Sequence, residues 1–331
     1  MTLLRAALQA SLTDPQFLRE QLLPALQLDR TMRSGGPGAL RLADPTDGDE
    51  VTAELTAIGG ERLWLTAYGG DDKAEHEQRV IEALRGSDFG EESRYRVPRP
   101  VVCMPDWRLI LTARAPGVPV SRYVDRESAE AISAVREAGG WLARLHGTSV
   151  RIGSAWLQWR SLSGLAKHLR QLSNGPFPYR GDLRRMLHRL APLAARVRTR
   201  TWVQTHGRFR TDRVVLGLGV VTSHDFVGSA PGDPARDVAE FLFDLRLRAM
   251  RHGSRRPDIP SAFLDGYLPG SSEQSLSNLP FYSACTVLTS LARLLAAGSS
   301  SEERFRGSVE FHVEEFHRHV GARTLRLKAP A

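Results

Sequence analysis

The stretch Thr205–Glu240, THGRFRTDRVVLGLGVVTSHDFVGSAPGDPARDVAE, decides how this chain is read. It opens on a His-Gly turn at His206 and Gly207, and then runs through an apolar, β-rich segment from Val214 to Val221. Asp225 follows within His224-Asp225-Phe226, and Gly232-Asp233-Pro234 makes a turn. A helix begins beyond it and carries Asp237 in its first turn, where a carboxylate suits the exposed N–H groups of the helix end.

This order of parts resembles the aminoglycoside phosphotransferase and choline kinase-like branch of the protein-kinase-like fold. In that family the pattern runs His-Gly-Asp, four residues, Asn, an apolar strand, a metal-binding Asp, Gly-Asp-Pro, and an Asp that opens a helix. The resemblance implies phosphoryl transfer from ATP with magnesium, a reaction that rests on positioning and charge neutralisation. A carboxylate takes the proton of the acceptor hydroxyl, while an Asn and an Asp hold the metal.

Two of those positions differ here. Arg208 stands at the base position and Arg213 at the Asn position. A guanidinium neither takes a proton at neutral pH nor ligates a cation. Asp225 is the one metal ligand that the resemblance carries over; the residues alone also suit an ion pair between Asp225 and Arg208 or Arg213. Asp212, beside the Asn position, reads as a solvated loop residue. His206 and Asp237 carry over as structural braces of the loop, not as catalysts.

Working outward towards the N-terminus, residues 3–28 read as a helix and Arg33–Gly38 as a loop. Three strands are expected at Ala39–Ala43, Val51–Ala57 and Arg62–Tyr68, then a charged helix at Asp71–Arg85, an extended Tyr95–Pro100, and a strand at Arg108–Ala113. In the resembling family this half binds nucleotide. Gly35 and Gly36 fall where a phosphate-covering loop belongs, since glycine lets backbone N–H groups approach oxygens closely. Pro37 removes one such donor, and an ordinary turn fits the same residues. Thr112 and Arg114 lie where backbone groups would meet an adenine. The strand lysine of the family falls at Thr66, and no lysine precedes Lys73. Glu77 or Glu75 would be the helix carboxylate, though a Glu on a charged helix normally faces water.

Beyond Ser128 helical periodicity takes over: Glu130–Leu145, Leu162–Leu172, Arg180–Arg200, Val238–Arg251, Ser261–Tyr267, Phe281–Ala297 and Ser301–Val320. The expectation is therefore an α+β, two-lobed kinase-like chain with a small antiparallel-sheet lobe and a larger, mainly helical one. The sheet-rich lobe spans 1–112, a hinge 113–117, and the helical lobe 118–331, with the Thr205–Glu240 segment in the helical lobe.

Composition is that of a globular protein, 41% hydrophobic and 25% charged over 331 residues. No uncharged apolar run of membrane-spanning length and no signal-peptide pattern is found, and the two cysteines, Cys103 and Cys285, sit far apart in apolar sequence. A cytoplasmic protein without a membrane partner is expected. The net charge is +8, and of 45 basic residues only Lys73, Lys167 and Lys328 are lysines. Arginine forks match carboxylates and phosphates. No basic motif interleaved with aromatic residues points to nucleic acid. Two function classes follow. One is a degenerate, pseudokinase-like protein that binds a nucleotide, anionic small molecule, peptide or partner protein in an arginine-lined cleft. The other is an active ATP-dependent phosphotransferase with a non-standard base. Changes at Arg208, Arg213 and Thr66 together favour the first.

Overall fold

The computed structural model describes residues 20, 37–42, 50–57, 61–70, 72–172, 180–254, 256–270, 276–297 and 302–321. Gly35, Gly36 and the helix expected over 3–28 lie outside them. In chain order the first elements are β1 (Pro37–Leu42), β2 (Glu50–Ala57), β3 (Arg62–Tyr68), α1 (Lys73–Arg85), β4 (Tyr95–Arg96), β5 (Pro100–Met104) and β6 (Leu109–Ala113). Then come β7 (Val118–Pro119), α2 (Val120–Asp125), α3 (Ala131–Gly147), α4 (Gln158–Leu172), α5 (Arg180–Arg196) and β8 (Val203–Thr205). The chain continues with β9 (Val214–Gly217), β10 (Val220–Ser223), β11 (Ala230–Gly232), α6 (Ala235–His252), α7 (Asp258–Tyr267), α8 (Leu279–Ala297) and α9 (Glu302–Val320).

The chain divides into two compact units, 1–118 with 214–229, and 119–213 with 230–331. The sequence reading drew 118–331 as one continuous helical lobe. The β9–β10 hairpin instead belongs with the first unit. Its β10 pairs parallel to β4, Val221 against Tyr95, and Phe226 is tied by hydrogen bond to helix α1.

In the first unit a five-stranded sheet runs β1-β2-β3-β6-β5, antiparallel throughout. Strand β3 alternates as a half-buried strand must: Leu63, Leu65 and Ala67 are sealed into the core with Val51, Leu55, Leu109 and Leu111, while Trp64 and Thr66 are only partly covered. Helix α1 buries Ala74, Glu77, Val80, Ile81 and Leu84, spaced at helical period, towards β5, β3 and β6. A second sheet takes β4, β10, β9 and β7 in that order. Its turn places Leu218 at φ 53° and Gly219 at φ 76°, and leaves Leu218 93% exposed.

The second unit is helical. Helices α3 and α7 approach so closely that no side chain fits between them at Gly139 and Gly266. A Cβ on Gly139 would strike the Phe263 carbonyl, and one on Gly266 the Arg136 carbonyl. A larger core joins α5, α6, α8 and α9 through Leu183, Leu190, Phe243, Leu288, Leu291 and Phe316. Helix α8 is long and apolar enough over Leu279–Ala296 to cross a membrane by length and composition, and it packs in this core. The sequence reading passed over it because Arg293 interrupts the apolar run.

Candidate functional site

The loop that follows β8 belongs to the second unit, and α6 holds it in place. Asp237 accepts the backbone N–H of His206 at 2.6 Å through Oδ2 and that of Gly207 at 2.8 Å through Oδ1. Two orphan loop amides thus find their acceptor in one buried carboxylate, and the positive φ of Gly207, 82°, lets the chain turn there. His146, near the end of α3, meets Asp237 Oδ2 at 3.0 Å through Nε2 and the Tyr267 hydroxyl at 2.9 Å through Nδ1. An ionised carboxylate only accepts, so Nε2 carries the proton, and in the neutral ring Nδ1 accepts the phenol proton. Burial alone would raise the Asp237 carboxyl, but the His146 bond and the nearby Arg236 guanidinium outweigh it and hold the pKa below its ordinary value.

Further along, Asp244 accepts from the Thr211 N–H at 3.0 Å and the Thr211 hydroxyl at 2.5 Å. Between these anchors Phe209 turns inward, stacked on Trp141 at 5.5 Å and Phe241 at 5.1 Å between ring centroids. Its burial forces its neighbours Arg208 and Arg210 outward, and both are half-buried. Arg210 meets Asp212 at 3.7 Å and Asp244 at 3.4 Å, and Arg213 meets Asp212 at 3.8 Å. Asp212 is therefore an ion-pair partner of two guanidiniums while its side chain stays 38% exposed. Arg236 closes the site from α6: it donates to Thr205 Oγ1 and to the Gly207 carbonyl, both at 3.2 Å, and lies 3.9 Å from the Trp156 ring centroid.

Sequence reasoning missed Glu240. It stands three residues beyond Asp237 and four before Asp244, on the α6 stripe that faces the loop. Burial pushes its carboxyl up to about 7, against the pull of Arg210 and Arg236. Such a group exchanges protons near neutrality.

A separate cluster lies in the first unit. The Tyr68 hydroxyl donates to Glu77 Oε2, and Glu77 Oε1 accepts the Phe226 N–H at 2.9 Å. One carboxyl thereby links β3, α1 and the segment that carries Asp225. Glu77 is only 4% exposed, so the solvated reading of this residue is overturned. The reason is local: Glu77 shares the buried stripe of α1 with Val80, Ile81 and Leu84. Burial, then the nearby Asp225 charge, pushes its carboxyl up to about 7. Thr66, where a lysine was sought, faces the same side of β3 as Tyr68, which meets the carboxylate instead. Period-two spacing from Thr66 was the signal that could have found it. Asp225 itself has φ 74° and is half-buried.

Thr112 is buried within β6, opposite Trp64. The Arg114 N–H donates to the Arg62 carbonyl at 2.8 Å, and the Ala113 N–H to the Arg99 carbonyl at 2.8 Å. The Arg114 side chain pairs with Glu54 at 3.0 Å and lies 5.4 Å from the Trp64 ring centroid. Both amides are thus taken up by backbone carbonyls of the first unit.

The residues do not suit a magnesium site of the family kind. Asp225 supplies one carboxylate, a guanidinium stands at the Asn position, and among the described residues no group of three or more His, Cys, Asp or Glu could hold a metal ion.

No protein-family model and no curated protein matches this chain. Solved structures do. A spectinomycin phosphotransferase in complex with ADP and spectinomycin aligns at TM-score 0.58 and 12% identity, over 90% of this chain and 93% of that one. A choline/ethanolamine kinase family protein from Mesorhizobium loti aligns at 0.60 and 14%, over 96% and 97%. The choline kinase LicA from Streptococcus pneumoniae aligns at 0.63 and 10%, over 91% and 99%. At such identities the likeness speaks for the fold. With its small antiparallel sheet, its larger helical part and a loop braced from the following helix, this chain has the protein-kinase-like fold of the aminoglycoside phosphotransferases and choline kinases.

Proposed function

We propose that this is a degenerate, pseudokinase-like member of that fold. In this reading it binds an anionic ligand, either a phosphate- or carboxylate-bearing small molecule or an acidic segment of a peptide or partner protein, and does not transfer phosphate. The observation that carries the reading is the Tyr68–Glu77 bond. A neutral phenol occupies the carboxylate that a phosphate-binding lysine would otherwise engage, so the first unit offers no ammonium at that point. Arg208 in place of the base and Arg213 in place of the Asn support it. They replace a proton acceptor and a metal ligand with two forks suited to oxygen anions. We place the protein in the cytoplasm, in keeping with its two free cysteines.

A specific observation favours the alternative, an active ATP-dependent phosphotransferase acting on a hydroxyl: Glu240, pushed up to about 7, could stand in as proton acceptor. One experiment separates the two. Transfer of labelled γ-phosphate from ATP to hydroxyl acceptors is measured for wild type, Asp225→Ala and Glu240→Gln. In parallel, thermal shifts are recorded with ATP, ADP and phosphorylated or acidic peptides, with and without magnesium. The binding reading expects no transfer above the Asp225→Ala background. It also expects anion-induced stabilisation that does not need magnesium and weakens in Arg208→Ala or Arg213→Ala. Robust transfer that depends on Asp225 and Glu240 would promote the alternative.

A further inference from the structure

Away from the loop, the second unit contains a cavity of about 360 Å³, near the lower bound of the roughly 300–1,000 Å³ of small-molecule sites. Its apolar wall comes from Val124, Leu245, Ala249, Met250, Ile259 and Phe311. Methionine in such a wall adapts to flexible apolar ligands. Four polar residues join them: Glu127, Arg246, Ser254 and Arg256.

The two arginines are not equivalent. Arg256 is neutralised by Asp258 at 2.7 Å, with the Glu127 charge also near. Arg246 shares Glu315 with Arg318, the latter half exposed to solvent. The Arg246 side chain is 39% exposed while it holds Glu315, so part of its guanidinium stays accessible beside the apolar wall. An apolar chamber beside a partly exposed guanidinium is complementary to an aliphatic chain that ends in an anion.

We infer that this cavity is a binding site for a medium-chain aliphatic carboxylate, its chain among Leu245, Ala249, Met250 and Phe311 and its head at Arg246. The site is independent of the loop and of the functional reading above.

Calorimetric titration of the full chain with decanoate, decanol and decyltrimethylammonium, each below its micelle threshold, tests this. Decanoate binds one to one, decanol at least tenfold more weakly, and decyltrimethylammonium not at all. Arg246→Gln lowers decanoate affinity about tenfold and leaves decanol unchanged, because only the charged head loses its donor. Ala249→Trp fills the chamber and abolishes binding of both. Should that variant fail to fold, the ¹³C-methyl resonance of Met250 in wild type serves instead, since decanoate shifts it in a saturable way. Equal binding of decanoate and decanol, binding unaltered in a folded Ala249→Trp, or a Met250 resonance that does not move would each overturn the assignment.

Discussion

The substitution Glu77→Gln tests the proton logic of the first unit. Glu77 is buried, its two oxygens take up the Tyr68 phenol and the Phe226 amide, and its carboxyl is pushed from 4.5 to about 7 by burial and then by Asp225. A group whose folded pKa lies above its unfolded value favours folding while protonated. That contribution is complete below about pH 4.5 and is lost as pH rises through about 7. At about 1.36 kcal/mol for each tenfold change in proton affinity, the loss amounts to about 3 kcal/mol by pH 8. Glutamine keeps the shape: its oxygen accepts from Phe226 and its amide donates to the Tyr68 oxygen, with nothing left to ionise. Urea unfolding at pH 5, 6, 7 and 8 should therefore show the wild type losing about 2.5 kcal/mol more than Glu77→Gln between the ends of the range. Groups outside the Tyr68, Glu50 and Asp225 surroundings of Glu77 cancel in the difference, Glu240 among them. Parallel stability curves for the two proteins would refute the assignment of a neutral, hydrogen-bonded Glu77.

Asp237→Ala strips the acceptor from two buried amides and from His146, and chemical denaturation should register a loss of about 3–5 kcal/mol. Because the Asp237 pKa is held below 3.8, the wild type loses stability as pH falls through that lowered value, and Asp237→Ala flattens the acid limb. Leu218→Asn relieves an exposed leucine at φ 53° in a two-residue hairpin turn and should stabilise by about 0.5–1 kcal/mol, read as a rise in melting temperature. Gly139→Ala forces α3 and α7 apart at the Phe263 carbonyl and should cost about 1–3 kcal/mol by urea unfolding.

Element type was legible wherever periodicity was sustained. Strand Arg62–Tyr68 falls where the alternation places it, and the ends of α3, α6 and α8 fall within three residues of the expected ones. Strand β5 was missed because Pro100 and Pro105 bracket it and mask its apolar run. The six-residue α2 is too short to show a period. At the loop, the spacing of His206 and Asp237 marked the two residues that tie the loop to α6. It could not show that Tyr68 meets Glu77 or that Asp212 gathers two arginines, because those pairings depend on which faces the folded chain brings together. Glu240 escaped notice for a similar reason, since only burial moves its carboxyl towards neutrality.

The bare crossing at Gly139 and Gly266 sets the tolerance of the loop. His146 lies seven residues beyond Gly139 on α3, about 10 Å along the axis, and Tyr267 directly follows Gly266 on α7. These two side chains grip each other and orient Asp237, which in turn fixes the amides of His206 and Gly207. The crossing works as the fulcrum of a lever: a methyl group inserted there is carried forward to the hydrogen bonds at the far end. Neutral variation should therefore be scarcer at these two glycines than at the exposed arginines, although they carry no side chain to bind with. A deep mutational scan selected on ligand binding alone would report them as binding residues, and a parallel scan selected on abundance would reveal them as the gauge that sets the loop.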